Sequence, residues 1–185
     1  MGRLRNFRFY GCGPIDRVSN NDASNWRIDM GIWLKKRGAI FIDPLNKPCS
    51  IGLESDDARQ RRVILKKEKN FSELANIMRK IRNVDLRFCD ISDAIICYLP
   101  LGASVFGTVE ELITSNRQKK PLLLVCNEGI ENIPDWAFSL GDINTMFGSF
   151  DDLKSYLTLV DESPSIEGLC SSRWLFLDQS FLAGN

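Results

Sequence analysis

The sequence predicts an α/β protein: a single-domain, flavodoxin- or Rossmann-like three-layer sandwich with a mostly parallel sheet of about five strands. Three observations carry this reading. AIICYL (94–99) and LLLVC (122–126) are short runs, apolar on both faces, as in central parallel strands covered by helices on either side. The amphipathic segment between them, 108–116, is long enough to be the helix of one right-handed crossover. A glycine loop, GCGPID, follows the first apolar segment and lies where open α/β sheets bind ligands.

The elements follow in order. Residues 1–6 are basic and frayed, and 7–12 alternate aromatic residues with Arg8 as a first strand that stops at Gly11, Gly13 and Pro14. A helix capped by Ser24 or Asn25 follows, with Trp26, Met30, Ile32, Trp33 and Leu34 inward and its end at Gly38. Residues 39–42 are a short buried strand closed by Asp43-Pro44, and 45–55 have turn composition. Residues 56–82 read as one long helix or two, broken at Asn70 or Ser72, with Val63, Ile64, Leu74, Ile77, Met78 and Ile81 as apolar positions. A separate short helix is expected over 85–92, before the strand at 94–99. A last strand near 144–147 leads to a helix capped by Ser149, with Leu153, Tyr156 and Leu157 inward. The domain spans 1–160. The tail, 161–185, contains RWLFLD, which is too apolar to hang in water and is expected to dock on the domain or on a neighbouring subunit.

Composition removes several function classes. The chain has 185 residues, with 24 Lys+Arg against 24 Asp+Glu, so it carries no basic footprint for duplex nucleic acid. The RQRR run at 59–62 lies among acids and reads as a solvated helix face. Six cysteines lack any C-x-x-C pairing, and Cys97 and Cys126 fall inside apolar runs, which points to reduced, buried thiols. No apolar run approaches the roughly 18 residues of a membrane span and no signal peptide precedes the first strand, so a cytoplasmic protein is expected. Histidine is absent, which excludes Ser-His and Cys-His nucleophile pairs and His-based zinc sites within the chain. Acid and base chemistry near neutral pH then falls first to Asp and Glu.

The fold gathers strand ends, so GCGPID, DPLNKP after the second strand and the stretch after AIICYL share one crevice. Asp85, Asp93, Glu110 and Glu111 are the acids nearest to it. A carboxylate in the first turn of a helix commonly serves free backbone N–H groups, which is the structural reading for either glutamate. Glycine loops and carboxylates without histidine or a Walker lysine also suit chemistry on a sugar, where one carboxylate is the nucleophile and another group moves a proton. Consecutive glutamates point in different directions on a helix, so one of the pair faces the crevice.

FYGCGPID, PLN, VDLRFCDISDAIICYLP and GTVEEL before NRQKKPLLLV together resemble the nucleoside 2-deoxyribosyltransferase family, especially its phage-encoded members. The resemblance runs in the same order over about 9–157. It implies cleavage of the N-glycosidic bond of a 2'-deoxynucleoside and transfer of the sugar to another base through a glutamyl ester. The nucleophile falls on Glu111, with Gly107 and Thr108 opening its helix, and the aspartate that contacts and protonates the base falls on Asp85. Phe9 takes the place of the family's orienting tyrosine, with Tyr10 beside it. Gly11, Gly13, Ile15 and Asn46 fall on substrate-binding loops. Asn144 falls on the asparagine that reaches the 5'-hydroxyl in an adjacent subunit's site. The family's second acid before the nucleophile is missing, since this chain has GASVFG there.

The resemblance implies no metal or organic cofactor, a nucleoside or nucleotide and a free base as small-molecule partners, and a homo-oligomer. Three readings stay open: the transferase, an N-glycosidase using water on a nucleoside or its 5'-monophosphate (with Arg17 as the cation for a phosphate), and a nucleotide-binding protein without turnover.

Overall fold

The computed structural model describes residues 2–15, 18–47, 52–163 and 173. Five strands, β1 (Arg8–Cys12), β2 (Ile40–Ile42), β3 (Ala94–Tyr98), β4 (Leu122–Val125) and β5 (Met146–Phe147), form one sheet in the order β2-β1-β3-β4-β5. Every pairing is parallel. This is the flavodoxin-like order, with its switch point between β1 and β3. Five helices cover the sheet: α1 (Asn20–Lys36), α2 (Asp56–Lys67), α3 (Phe71–Ile91), α4 (Phe106–Arg117) and α5 (Phe150–Glu162).

The continuous apolar runs are the inner strands, β4 being buried throughout and β3 at every residue but Tyr98. Their alternate side chains feed two cores. Phe9, Ile96, Leu123 and Val125 pack against Met30 and Leu34 of α1 and Leu153 and Leu157 of α5. Tyr10, Cys12, Ile95, Cys97 and Leu124 face Cys89 of α3 and Leu112 of α4. Asp93 secures the entry to β3 by accepting hydrogen bonds from the backbone and guanidinium of Arg8.

Several boundaries differ from expectation for local reasons. α1 begins at Asn20, because Ser19 accepts from the Asp22 N–H and donates to its carboxylate; this first turn is polar and so invisible to apolar periodicity. Ile32, expected inward, is exposed. β2 is an edge strand rather than a buried one, and its Ile40 is exposed. The expected break falls at Asn70, which caps α3 by accepting from the Glu73 N–H. The separate helix expected at 85–92 does not exist. No Gly or Pro interrupts 71–91, and a buried stripe of Ile81, Asp85 and Cys89 at four-residue spacing runs through one continuous helix. In α2, Val63 and Ile64 are exposed while Arg62 and Leu65 are buried, so Arg62 leaves the solvated face predicted for RQRR.

The glycine loop after β1 is tied down by Arg27 of α1, whose side chain is wholly buried. Its guanidinium donates to the carbonyl oxygens of Gly11 (3.3 Å), Gly13 (3.0 Å) and Ala23, lies 3.7 Å from an Asp43 carboxylate oxygen after β2, and sits over the Trp26 ring. One cation thus fixes the exits of two adjacent strands. Gly13 suits this close packing, since a Cβ there would lie 3.1 Å from the Tyr98 carbonyl oxygen and 3.2 Å from Trp26, tighter than ordinary contact.

Replacing Arg27 with Met removes the buried guanidinium that holds the Gly11 and Gly13 carbonyls and lies beside the Asp43 carboxylate. Urea denaturation of Arg27→Met is expected to show a loss of roughly 3–5 kcal/mol. Ser149→Ala, which removes only the cap of α5, is expected to cost about 1 kcal/mol.

Candidate active site

Tyr10 and Cys12 are two residues apart on β1 and therefore point to the same layer, toward α4. Both meet Glu111. The Tyr10 hydroxyl donates to Oε1 at 2.6 Å, and the Cys12 thiol donates to Oε2 at 2.9 Å. Each oxygen of the carboxylate therefore has its own donor, one from each of two adjacent inward positions on a rigid strand. Burial pushes the Glu111 carboxyl above its ordinary range, while the two donors and the positive charge of Arg27 pull the other way. α4 begins at Phe106, so Glu110 and Glu111 lie in its second turn rather than its first, and neither serves the helix start.

Asp85 is buried on the facing helix, α3, with Lys47 Nζ 2.8 Å from Oδ1. Lys47 also donates to the Gly52 carbonyl at 2.7 Å and to Glu54 at 3.2 Å, and Arg62 lies 4.0 Å from the other Glu54 oxygen. Asp85 is pushed up to about 7, chiefly by burial and against the attraction of Lys47, with the negative charges of Glu54 and Glu111 adding to the rise. A carboxyl group with that value exchanges protons near neutral pH, which suits a general acid.

A cavity of about 500 Å³ separates these groups. Gly13 and Ile15 line it from the glycine loop, Gly107 and Glu111 from α4, Asp85 from α3, and Glu54 from the segment before α2. The volume is within the range of small-molecule sites. At its mouth Arg82 is paired with Glu110 through both Nε and an NH2 group. Phe106 is almost fully exposed beside it.

Of the residues singled out from the sequence, Glu111, Asp85, Gly13, Ile15 and Gly107 line this cavity, and Tyr10 reaches it through Glu111. Phe9 does not: the strand alternation turns it into the α1/α5 core, so Tyr10 is the aromatic residue that meets the carboxylate. Gly11 faces the same far side, where an added Cβ would lie 2.4 Å from the Phe41 ring. Asn46 is exposed in the turn after β2, its N–H donating to Asp43, and is not on the cavity wall. Asn144 is exposed on the 3-10 turn Ile143–Thr145 beside β5 and donates to Asp142, also away from the cavity. Arg17 lies outside the described residues, as does most of the tail. Of that tail, 161–163 at the end of α5 and Arg173 are described, and the Arg173 guanidinium donates to the Lys120 carbonyl and to Asn116 at the end of α4.

Sequence reasoning passed over Lys47, Glu54, Arg62 and Cys12. GASVF contributes no acid, and Glu54 brings a further carboxylate to the cavity beside Asp85 and Glu111. Cys12 was discoverable, because it shares the strand face of Tyr10. The Lys47–Glu54 pair carries no periodic signal, since it forms across a loop. Among the described residues no three Cys, Asp or Glu side chains are grouped so as to hold a metal ion, and no helix is long and apolar enough to cross a membrane.

No protein-family model and no curated protein matches the sequence. Among solved structures, the 2-deoxyribosyltransferase of the psychrotolerant bacterium Bacillus psychrosaccharolyticus is similar with a TM-score of 0.54 at 16% identity, over 80% of this chain and 91% of that one. The CMP N-glycosidase of Clostridium botulinum gives a TM-score of 0.45 at 14% identity, over 82% of this chain and 98% of that one. The chain therefore shares the α/β fold of a nucleoside deoxyribosyltransferase, at an identity that speaks for the fold alone.

Proposed function

We propose that the protein is a nucleoside 2-deoxyribosyltransferase that works through a covalent ester on Glu111. The observation that carries this reading is a carboxylate held by two separate donors in a nucleoside-sized cavity, facing a second carboxyl group poised near neutrality. Ionised Glu111 attacks the anomeric carbon as the N-glycosidic bond lengthens through an oxocarbenium-like transition state. The bonding pair passes to the departing base nitrogen, and Asp85 supplies the proton that neutralises the base. An acceptor base then attacks the same carbon, returns its proton to Asp85 and releases the Glu111 carboxylate. Tyr10 and Cys12 aim the nucleophile, and Gly13, Ile15 and Gly107 leave room for the sugar beside it.

In this reading the chain works as a homo-oligomer, and Asn144, exposed away from its own cavity, serves the site of a neighbouring copy. A monomer by analytical ultracentrifugation at the assay concentration would overturn that part.

Incubation of purified protein with deoxycytidine and adenine is expected to give deoxyadenosine. Free base and deoxyribose without an exchange product would make water the acceptor instead. A 2'-fluoro-deoxynucleoside is expected to leave its sugar on the peptide bearing Glu111, read by mass spectrometry; labelling elsewhere would refute the mechanism. Glu111→Ala is expected to lower kcat by roughly 10³-fold or more.

The pH dependence follows from the same two groups. Asp85 must be protonated to act as the acid, so kcat/KM is expected to fall as pH rises through about 7. Glu111 must be ionised, so the rate falls again on the acid side, at a pH above the ordinary glutamate range. Asp85→Asn is expected to lower kcat by about 10²–10⁴-fold and to abolish the alkaline limb. An alkaline limb unchanged in that variant would assign the proton to another group.

A further inference from the structure

The base end of the cavity contains a cation that a ligand cannot reach. Lys47 Nζ is enclosed by three oxygens, from Gly52 at 2.7 Å, Asp85 at 2.8 Å and Glu54 at 3.2 Å, and its side chain has no exposed surface. Glu54 and Asp85 keep 6% and 12% of their side-chain surface open, and both line the cavity. What a bound molecule meets there is therefore carboxylate oxygen and not ammonium. Asp85 Oδ1, although close to Lys47, makes no aligned hydrogen bond.

The nearby donors are directed elsewhere. Arg82, three residues before Asp85 on α3, is engaged by Glu110 at the rim. Arg79, which also lines the cavity, donates to Asn76 on its own helix. Glu111, which belongs to the sugar end, is itself an acceptor. A base carbonyl set against the Glu54 carboxylate loses its water without replacement, whereas an N–H group placed there is satisfied, and protonated Asp85 donates to the ring nitrogen beside it.

We propose that Glu54, fixed by Lys47 and Arg62, is a specificity-determining residue that selects bases carrying an exocyclic amino group over their oxo counterparts. The amino group donates to Glu54 while the adjoining ring edge meets Asp85. The substrates are then 6-aminopurine and 4-aminopyrimidine deoxynucleosides. This inference rests on the proposed nucleoside chemistry of the same cavity and adds the identity of the base.

The test compares pairs that differ in one substituent: deoxyadenosine with deoxyinosine, and deoxycytidine with deoxyuridine. For the wild-type protein, kcat/KM and calorimetric Kd are expected to favour the amino member of each pair by roughly 100-fold, the order at which a site built for hydrogen bonding rejects a mismatched group. Glu54→Gln presents an amide donor in place of one carboxylate oxygen and is expected to narrow the ratio at least about tenfold, with its melting transition read in parallel to show that it folds. Equal turnover or equal affinity within both pairs overturns this inference and leaves the transferase reading intact. Absence of both turnover and binding for all four nucleosides overturns the transferase reading itself. The wild-type ratios decide the matter even if Glu54→Gln does not fold.

Discussion

Burying carboxylates is costly, and this chain brings Glu54, Asp85 and Glu111 to the wall of one cavity. Each raises the energy of ionising its neighbours: burial is the chief cause of the upward displacement of Asp85, and both glutamates add to it. The surrounding structure is arranged to contain that repulsion. Lys47 joins Glu54 to Asp85, Arg62 approaches Glu54 from α2, and Glu111 is served by neutral donors from β1 together with the more distant charge of Arg27. The compensation is unequal, and the difference has chemical content. Asp85, with one cation and two anionic neighbours, is left near the point where it holds or releases a proton. Glu111, hydrogen-bonded at both oxygens, is oriented without being neutralised by a cation in contact.

The parallel sheet makes such an arrangement possible. In the order β2-β1-β3-β4-β5 the exits of β1 and β3 diverge into helices on opposite faces, which opens a crevice that no side chain needs to fill. β1 leads into that crevice and is clamped on both sides, by β2 and by β3. Tyr10 and Cys12 therefore emerge from one of the least deformable parts of the molecule, as positioning groups must if small displacements of a nucleophile are to be avoided. Arg27 extends this rigidity into the glycine loop by occupying carbonyls that would otherwise be free to swing.

Most of the fold is legible in the sequence because β3 and β4 advertise it as continuous apolar runs, and Ser149 and Asn70 mark helix starts with side chains suited to capping. Boundaries fail where the local signal is polar, as at Ser19, or where nothing breaks a helix, as between 82 and 85. The site is legible in part. Glu111 and Asp85 could be named because short motifs surround them. Tyr10 and Phe9 are exchanged, since strand phase at a β1 buried on both faces cannot be read from hydrophobicity when both residues are aromatic. Lys47, Glu54 and Arg62 are invisible to any periodic reading, because they come from three separate segments that meet only in the folded chain.

One further consequence follows from the sulfur atoms. Cys12, Cys89, Cys97 and Cys126 are all free, buried and on the α3/α4 side of the sheet, and Cys12 and Cys97 are opposite each other in the β1–β3 register. None can meet a reagent in solution without an opening of that core. Their rate of alkylation under native conditions is thus a built-in clock for local unfolding, and the clock sits directly behind the nucleophile. A ligand that closes the cavity against Glu111 would slow it at Cys12 before it slowed at Cys126, which lies beyond the end of β4, so the order of protection reports how far rigidity spreads through the sheet.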